Sequence, residues 1–167
     1  KATINQESLP YVIAEIGHNH QGSIDKCKEL FVKAKNAGAN AVKLQKRNNK
    51  KLYTKKFYNS IYDNQNSYGN TYGEHREKLE FGEDQYKELF DFAKQLEITL
   101  FSTPFDLYSL DFLEKFDCPF YKVASSDITF MELIKKIAET GKPLIISTGY
   151  AGFDDIDGWK FRVNGCY

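Results

Sequence analysis

The sequence has few of the residues that mark specialised protein classes. Its 167 residues include three cysteines, four prolines, one methionine and one tryptophan. No run of about 18 apolar residues is present, so we expect no membrane-spanning helix. Cys27, Cys118 and Cys166 form no CxxC pair, which argues against a disulfide framework or a tetrahedral zinc site and suits a reducing cytoplasm. The 23 basic and 23 acidic residues cancel, so no net charge attracts nucleic acid or an anionic membrane.

Short apolar runs alternate with longer amphipathic stretches along the chain. The predicted strands are residues 11–15, 41–45, 99–102, 120–124 and 143–147, and the predicted helices are 24–37, 84–96, 107–116 and 131–140. Apolar strands that are each followed by a helix indicate parallel βαβ units. The pattern fits an open doubly wound sheet or the first part of a (β/α)8 barrel. No glycine-rich phosphate-binding motif follows the first strand, which argues against a nucleotide-binding open sheet.

The long polar segment from Lys46 to Gly82 interrupts this alternation. It begins with six basic residues between Lys46 and Lys56 and continues with tyrosines and phenylalanine among many asparagines. A connection of this length is usually functional or contains short elements of its own. Three interpretations stay open: a solvated basic face with packed aromatics, a substrate lid or subunit contact, and, with least support, a nucleic-acid stacking surface.

Polar residues stand where the predicted strands end, although the strands themselves are apolar. The carboxyl ends of parallel strands carry the chemistry of α/β folds. Lys43 and Lys122 each lie inside an apolar strand, where an ammonium group needs a partner. Together with nearby hydroxyl groups they would form a cradle for phosphate or carboxylate. Alternatively, each lysine pairs with an internal carboxylate such as Glu15 or Asp127.

Two histidines, His18 and His20, follow the first predicted strand with a spacing of two. Such a pair could ligate a metal ion, but histidines in a loop more often serve as hydrogen-bonding residues. No serine or cysteine lies in a nucleophile-elbow motif, so a catalytic triad has no support.

Six segments, in order, resemble the sialic acid synthase family, which comprises the N-acetylneuraminate synthases and their relatives that make legionaminic and pseudaminic acids. The resemblance covers about residues 9 to 157. The segments that carry it are Ala14-Glu-Ile-Gly-His-Asn-His-Gln-Gly22, Ala41-Val-Lys-Leu-Gln45, Gly69-Asn-Thr-Tyr-Gly-Glu-His-Arg76 with Leu79-Glu-Phe81, Phe101-Ser-Thr-Pro-Phe-Asp106, Tyr121-Lys-Val-Ala-Ser-Ser-Asp127 and Ile145-Ile-Ser-Thr-Gly149.

This resemblance implies a (β/α)8 TIM barrel, of which residues 1–157 would form about the first five βα units. Residues 158–167 lack a helical pattern, and we interpret them as a truncated or frame-shifted tail. The family implies a further antifreeze-like domain and a homodimer at full length. We expect the five-unit chain alone to be inactive and to associate through its first and fifth strands, since an incomplete barrel leaves sheet edges unpaired.

Members of the family condense phosphoenolpyruvate with an N-acetylated aldose, typically N-acetylmannosamine, and give a nonulosonic acid and phosphate. The alternatives are a legionaminate- or pseudaminate-type synthase that uses another N-acetylated aldose, and an inactive fragment that only binds a phosphorylated ligand. The family also implies a divalent metal, manganese or magnesium, whose histidine ligands belong to the second half of the barrel, so we expect no metal ligand within this chain.

The resemblance also assigns roles to single residues. It implies that phosphoenolpyruvate is held by Lys43, Thr103, Lys122, Ser125 and Ser147, with Gln45 lining the same pocket. Glu15 would lie near C2 of phosphoenolpyruvate, where a carboxylate can stabilise positive charge or orient the attacking water. Asp127 stands where many relatives have glutamate, so a shorter acid occupies that position.

Overall fold

The computed structural model describes residues 8–152, 154 and 156, and the proposed tail at 158–167 lies outside them. Within the described residues the strands are β1 (Ile13–Gly17), β2 (Ala41–Lys46), β3 (Thr99–Pro104), β4 (Tyr121–Val123) and β5 (Leu144–Ile146). The helices are α1 (Ile24–Asn36), α2 (Asn49–Leu52), α3 (Lys55–Tyr58), α4 (Tyr72–Lys78), α5 (Glu83–Gln95), α6 (Leu107–Leu113) and α7 (Met131–Glu139).

The five strands form one parallel sheet in the order β1-β2-β3-β4-β5, with a helix after each of the first four. This confirms the five predicted strands, the four predicted helices and the repeated βα unit. Strands that are neighbours in this sheet are consecutive in the chain, as in a (β/α)8 barrel, whereas a doubly wound sheet reverses its strand order at a switch point. The described part therefore matches the first five units of such a barrel.

The register of the strands places the polar residues on one face of the sheet. Glu15 pairs with Lys43, and Lys43 with Phe101, while Gln45 pairs with Thr103 two residues further along. Paired residues of neighbouring parallel strands point to the same side, and side chains alternate along each strand. Four predicted site residues from three strands therefore share a face.

The register of the later strands extends this face. Ser102 pairs with Tyr121, so the residues that follow them, Thr103 and Lys122, lie on the opposite face from that pair. Lys122 pairs in turn with Ile145. The Ser147 amide donates to the Val123 carbonyl at 3.1 Å, which continues the ladder beyond β5. Ser147 thus follows Ile145 by two residues and belongs to the same face as Lys122.

The opposite face of the sheet packs against the helices and forms the core. The Tyr86 ring of α5 is buried there, and its hydroxyl donates to the Gln45 carbonyl at 3.2 Å. The helices begin where the sequence supplies caps: Ser23 accepts from the Lys26 amide before α1, and Asp106 accepts from the Ser109 amide before α6. None of the described helices is long and apolar enough to cross a membrane.

The segment between β2 and α5 contains the short helices α2, α3 and α4. Its aromatic rings pack on one another, with Phe57 and Tyr62 lying 4.6 and 5.4 Å from the Tyr72 ring, centroid to centroid. Glycine is needed at position 73, because a Cβ there would overlap the Tyr58 ring. The four lysines of α2 and α3 are exposed. The segment therefore matches the interpretation of a solvated basic face with packed aromatics.

Candidate active site

The carboxyl ends of β1, β2 and β3 bring together four of the predicted site residues. Lys43 Nζ lies 2.5 Å from Glu15 Oε2 and 3.1 Å from Thr103 Oγ1. Gln45 Nε2 donates to the other carboxylate oxygen of Glu15 at 3.4 Å. We call Glu15, Lys43, Gln45 and Thr103 the β1–β3 cluster. Its ammonium and carboxylate are held in place before any ligand arrives.

Burial separates the two charges of this cluster. Lys43 is 4% exposed, whereas the Glu15 side chain is 49% exposed. Burial lowers the pKa of Lys43, and its hydrogen bond and ion pair with Glu15 oppose this effect. The alternative that a carboxylate pairs with the lysine is thus confirmed for Lys43, although the Glu15 side chain is partly exposed rather than internal. The exposed carboxylate leaves this pair within reach of a ligand at the sheet's carboxyl edge.

The later strands place Lys122, Ser125 and Ser147 at the same edge. Lys122 is half-buried and forms no ion pair within the described residues. Its charge lowers the pKa of Lys43, so the two ammonium groups act on one another across β3. Ser125 lies in a 3-10 turn after β4, and a Cβ at Gly149 would lie 3.4 Å from the Ser125 Cβ. The turn after β4 therefore approaches the loop after β5.

Asp127 ends the 3-10 turn and is half-buried. The Ser126 hydroxyl donates to its Oδ1 at 3.3 Å, while its Oδ2 is buried without a hydrogen-bond partner in the described part of the chain. Burial raises the pKa of the Asp127 carboxyl, against the lowering effects of Ser126 and Arg47. The carboxyl can therefore hold a proton to a higher pH than an ordinary aspartate.

The two histidines behave as hydrogen-bonding and packing residues. His18 Nε2 lies 3.4 Å from Glu80 Oε1, and the His20 ring stacks on Phe81 at 4.2 Å. The Nδ1 of His20 accepts from the Gly22 amide at 3.1 Å, so the proton of the neutral ring is on Nε2. Among the described residues no group of three histidine, cysteine, aspartate or glutamate side chains could hold a metal ion. The divalent metal that the resemblance implies, with histidine ligands from the second half of the barrel, stays a prediction for the full-length protein.

Comparison with known sequences identifies the protein family. The sequence model of the NeuB family matches residues 30–159, which is most of the chain and includes every predicted site residue except Glu15. The chain belongs to the NeuB family.

Curated relatives of this NeuB chain include an N-acetylneuraminate-9-phosphate synthase and a pseudaminic acid synthase. It is 41% identical over 139 residues to N-acetylneuraminate-9-phosphate synthase of Drosophila melanogaster, covering 83% of this chain and 37% of that protein. It is 35% identical over 148 residues to pseudaminic acid synthase of Helicobacter pylori, covering 85% of this chain and 42% of that protein. The chain thus spans less than half the length of these relatives.

Solved structures of similar proteins share the fold. A crystal structure of N-acetylneuraminic acid synthetase from Leptospira borgpetersenii superposes with a TM-score of 0.73 at 27% identity, covering 89% of this chain and 47% of that chain. The DAHP synthase of Thermotoga maritima superposes with a TM-score of 0.59 at 11% identity, covering 91% of this chain and 39% of that chain, which shows a shared fold alone.

Sequence reasoning missed two residues that the NeuB fold brings to the same edge. Glu80 accepts from the Arg47 amide at 3.2 Å and from Lys46 Nζ at 3.3 Å, in addition to its contact with His18. Burial raises the pKa of Glu80, but these donors outweigh it and hold the pKa below its usual value. Arg47 follows β2 directly, so the rule that chemistry lies at strand ends could have found it. Glu80 lies within the quoted Leu79-Glu-Phe81 motif.

Proposed function

We propose that the protein is a phosphoenolpyruvate-dependent synthase that condenses an N-acetylated aldose, N-acetylmannosamine in the simplest case, to a nonulosonic acid. The observation that carries the proposal is the Lys43–Thr103–Glu15 arrangement at 3.1 and 2.5 Å, which shares one sheet face with Lys122 and Ser147. Membership of the NeuB family and the names of the relatives support the same class of reaction.

In this proposal the two lysines bind the phosphate and carboxylate groups of phosphoenolpyruvate. Thr103, Ser125 and Ser147 add hydroxyl donors, which are neutral and so orient the anion without competing charge. C3 of phosphoenolpyruvate forms the new bond to the aldehyde carbon, water adds at C2, and the C2–O bond breaks to release phosphate. Fixed cations favour this last step, because they stabilise the charge on the departing phosphate.

Glu15 and Asp127 take different roles because their environments differ. Glu15 is exposed at the edge and is fixed by Lys43 and Gln45, so its carboxylate can stabilise positive charge at C2 or orient the water. Asp127 is half-buried with a raised pKa, which suits a group that can exchange a proton with a substrate oxygen. The divalent metal stays a prediction for the full-length protein.

The identity of the aldose is a second question, and the relatives suggest specific candidates. Phosphoenolpyruvate contributes three carbons, so C9 of the product is C6 of the aldose. A 9-phosphate product, as in the name of the Drosophila relative, therefore corresponds to an aldose 6-phosphate. The names of other relatives point to the aldoses of pseudaminic and N,N'-diacetyllegionaminic acids.

The proposal is tested by incubating the full-length protein with phosphoenolpyruvate, a divalent metal and each aldose of this panel. We expect phosphate release that depends on the aldose, together with a product whose mass equals the aldose plus the three-carbon acid. Omitting the aldose is the control, since a phosphatase would release phosphate without it. Binding of phosphoenolpyruvate with no turnover for any aldose would favour the ligand-binding alternative.

A further inference from the structure

Arg47 lies at the carboxyl end of β2, beside the β1–β3 cluster. Its guanidinium carbon is 3.5 Å from the centroid of the Phe105 ring, which follows β3. Its main-chain amide donates to Glu80, and its Nη1 lies 3.4 Å from His18 Nε2. The side chain is therefore held on three sides, by an aromatic face, a carboxylate-anchored backbone and a neutral imidazole.

The Arg47 guanidinium forms no ion pair within the described residues, although the charge of Glu80 acts on it. Arg76 of α4 likewise forms no ion pair in that part of the chain, and its Nε is buried there without a hydrogen-bond partner. Burial and the nearby charge of Arg76 lower the pKa of Arg47, while Glu80 already pairs with Lys46. His18 has a pKa lowered by burial, so it is neutral at pH 7. The two guanidinium groups thus lie near one another, and neither forms an ion pair among the described residues.

The Lys43–Lys122 cradle beside these arginines would have an excess of negative charge once a ligand is bound. Lys43 and Lys122 carry two positive charges, and Glu15 and Asp127 carry two negative charges when both are ionised. A phosphate monoester brings about 1.5 to 2 negative charges and a carboxylate one more. The four cradle residues alone cannot neutralise such a ligand, even with Asp127 protonated. The charge of Arg47 does reach the cradle, since it lowers the pKa of both Lys43 and Asp127.

We propose that the Arg47 guanidinium, backed by Arg76, binds an oxyanion group of a substrate, either a phosphate or a carboxylate, beside the Lys43–Lys122 cradle. The proposal rests on the proposed function for the identity of the substrate. A guanidinium suits this task because its planar fork of donors matches carboxylate and phosphate oxygens in pairs. Stacking on Phe105 leaves the edge of the fork, rather than its face, available to the ligand.

Two sources could supply the oxyanion, phosphoenolpyruvate itself or a phosphate on the aldose. The test uses the full-length protein and the variants Arg47→Gln, Arg47→Lys and, as a matched control, Lys56→Gln. Lys56 is an exposed lysine of the same segment. Kinetics are measured for phosphoenolpyruvate, for the free aldose and for its 6-phosphate, and calorimetry measures the binding of phosphoenolpyruvate and of inorganic phosphate without turnover.

We expect Arg47→Gln to weaken binding of the substrate that carries the oxyanion by about 10- to 100-fold, as for the loss of a hydrogen bond to a charged group. Arg47→Lys recovers part of this loss, and Lys56→Gln changes nothing. An effect on KM for phosphoenolpyruvate with any aldose assigns the oxyanion to phosphoenolpyruvate. An effect confined to the aldose 6-phosphate assigns it to the sugar.

Binding and thermal unfolding separate the ways in which the inference could fail. Arg47→Gln that folds like the wild type and retains its KM values and its affinity for both probes overturns the Arg47 assignment. A wild-type protein that never turns over phosphoenolpyruvate overturns the proposed function instead. In that case weaker binding of inorganic phosphate by Arg47→Gln still supports an oxyanion site at Arg47. If Arg47→Gln unfolds, Phe105→Leu replaces it as the test variant. This variant removes the stacking surface but keeps the charge of Arg47, so it should raise the KM for phosphoenolpyruvate or for the aldose 6-phosphate. Unchanged KM values for both overturn the assignment.

Discussion

The half of the sheet around β2 and the half around β4 differ in how firmly each holds its lysine. Between β2 and β3 six consecutive residue pairs run from Ala41↔Thr99 to Lys46↔Pro104, and Lys43 is almost fully buried and ion-paired. Between β3 and β4 a single pair, Ser102↔Tyr121, is recorded, and Lys122 is half-buried without an ion pair within the described residues. Lys43 is therefore held in place before a ligand binds, whereas the charge of Lys122 is free to interact with a ligand.

This difference indicates how one rim can be both rigid and receptive. An ion pair formed in advance fixes the geometry of Lys43 but neutralises most of its charge. Lys122 is less constrained, and its charge is available to a ligand. We infer that positioning comes chiefly from the β1–β3 cluster and that uncompensated positive charge comes chiefly from Lys122 and Arg47.

The largest expected effect is on stability, and it compares how well β2 and β5 are packed. Leu44 of β2 is 1% exposed, whereas Ile145 of β5 is 38% exposed. Leu44→Ala removes a fully buried side chain and leaves a cavity, so we expect it to lower the free energy of unfolding by about 4 kcal/mol. Ile145→Ala should cost about 1 kcal/mol, because part of that side chain already contacts solvent. Urea unfolding at a protein concentration where the chain is monomeric measures both, and equal losses would contradict the comparison.

The next effect concerns activity and involves both lysines. In the full-length protein, Lys43→Ala and Lys122→Ala should each lose about 3 kcal/mol or more of transition-state stabilisation, on the scale of a lost oxyanion donor. Arginine should restore neither fully, since a planar fork and a compact ammonium occupy different space. Steady-state kinetics with phosphate detection measures this, with the exposed Lys50→Ala as control. Near-normal rates in both alanine variants would remove the cradle from the mechanism.

Stability should distinguish the same two variants. Lys43→Ala leaves Glu15 without its cation and opens space in a buried position, so it should reduce the free energy of unfolding measurably. Lys122→Ala breaks no ion pair in the described part of the chain and should stay within about 0.5 kcal/mol of the wild type. Chemical denaturation of both variants tests this difference.

The fold was predictable because its signals are local. Apolar runs such as 41–45 and 99–102 have one structural solution when each is followed by an amphipathic helix, and the structure confirms all five strands. The shared face of Lys43 and Gln45 follows from their spacing of two along one strand. Neither inference needs to know which residues meet over long distances.

The site was less predictable, because its most informative contacts join distant segments. Arg47 stacks on Phe105 and its amide contacts Glu80, which lie 58 and 33 residues further along the chain. No local pattern states that Glu80 will bind the loop after β2, since that contact depends on how α4 and α5 pack. The partner of Lys43 was open for the same reason: the register of β1 against β2 decides between Glu15 and Asp127.

A smaller effect tests the packing of His20 against Phe81. Burial lowers the pKa of His20 to about 4, below the value of about 6.5 in an unfolded chain. The unfolded state therefore binds the proton more readily between these values, and stability falls as pH decreases through this window. We expect a loss of about 2 kcal/mol between pH 7 and pH 5. His20→Asn, whose side-chain oxygen can still accept from the Gly22 amide, should lack this component. Parallel pH profiles of the two proteins would count against the burial of His20.

The smallest expected effect sets the scale for charges that do not contribute to the site. Lys115 and Glu83 form an ion pair at 2.5 Å, but their side chains are 54% and 58% exposed. Exposed pairs are screened by solvent and salt, so Lys115→Ala should change the free energy of unfolding by less than about 1 kcal/mol. The change should shrink further in high salt, because counterions compete for both partners. Lys43→Ala, measured beside it, should keep its larger loss under the same salt, since its ammonium is shielded from counterions. If the two variants lose equal stability and respond equally to salt, then burial does not distinguish the Lys43–Glu15 pair from an ordinary surface pair.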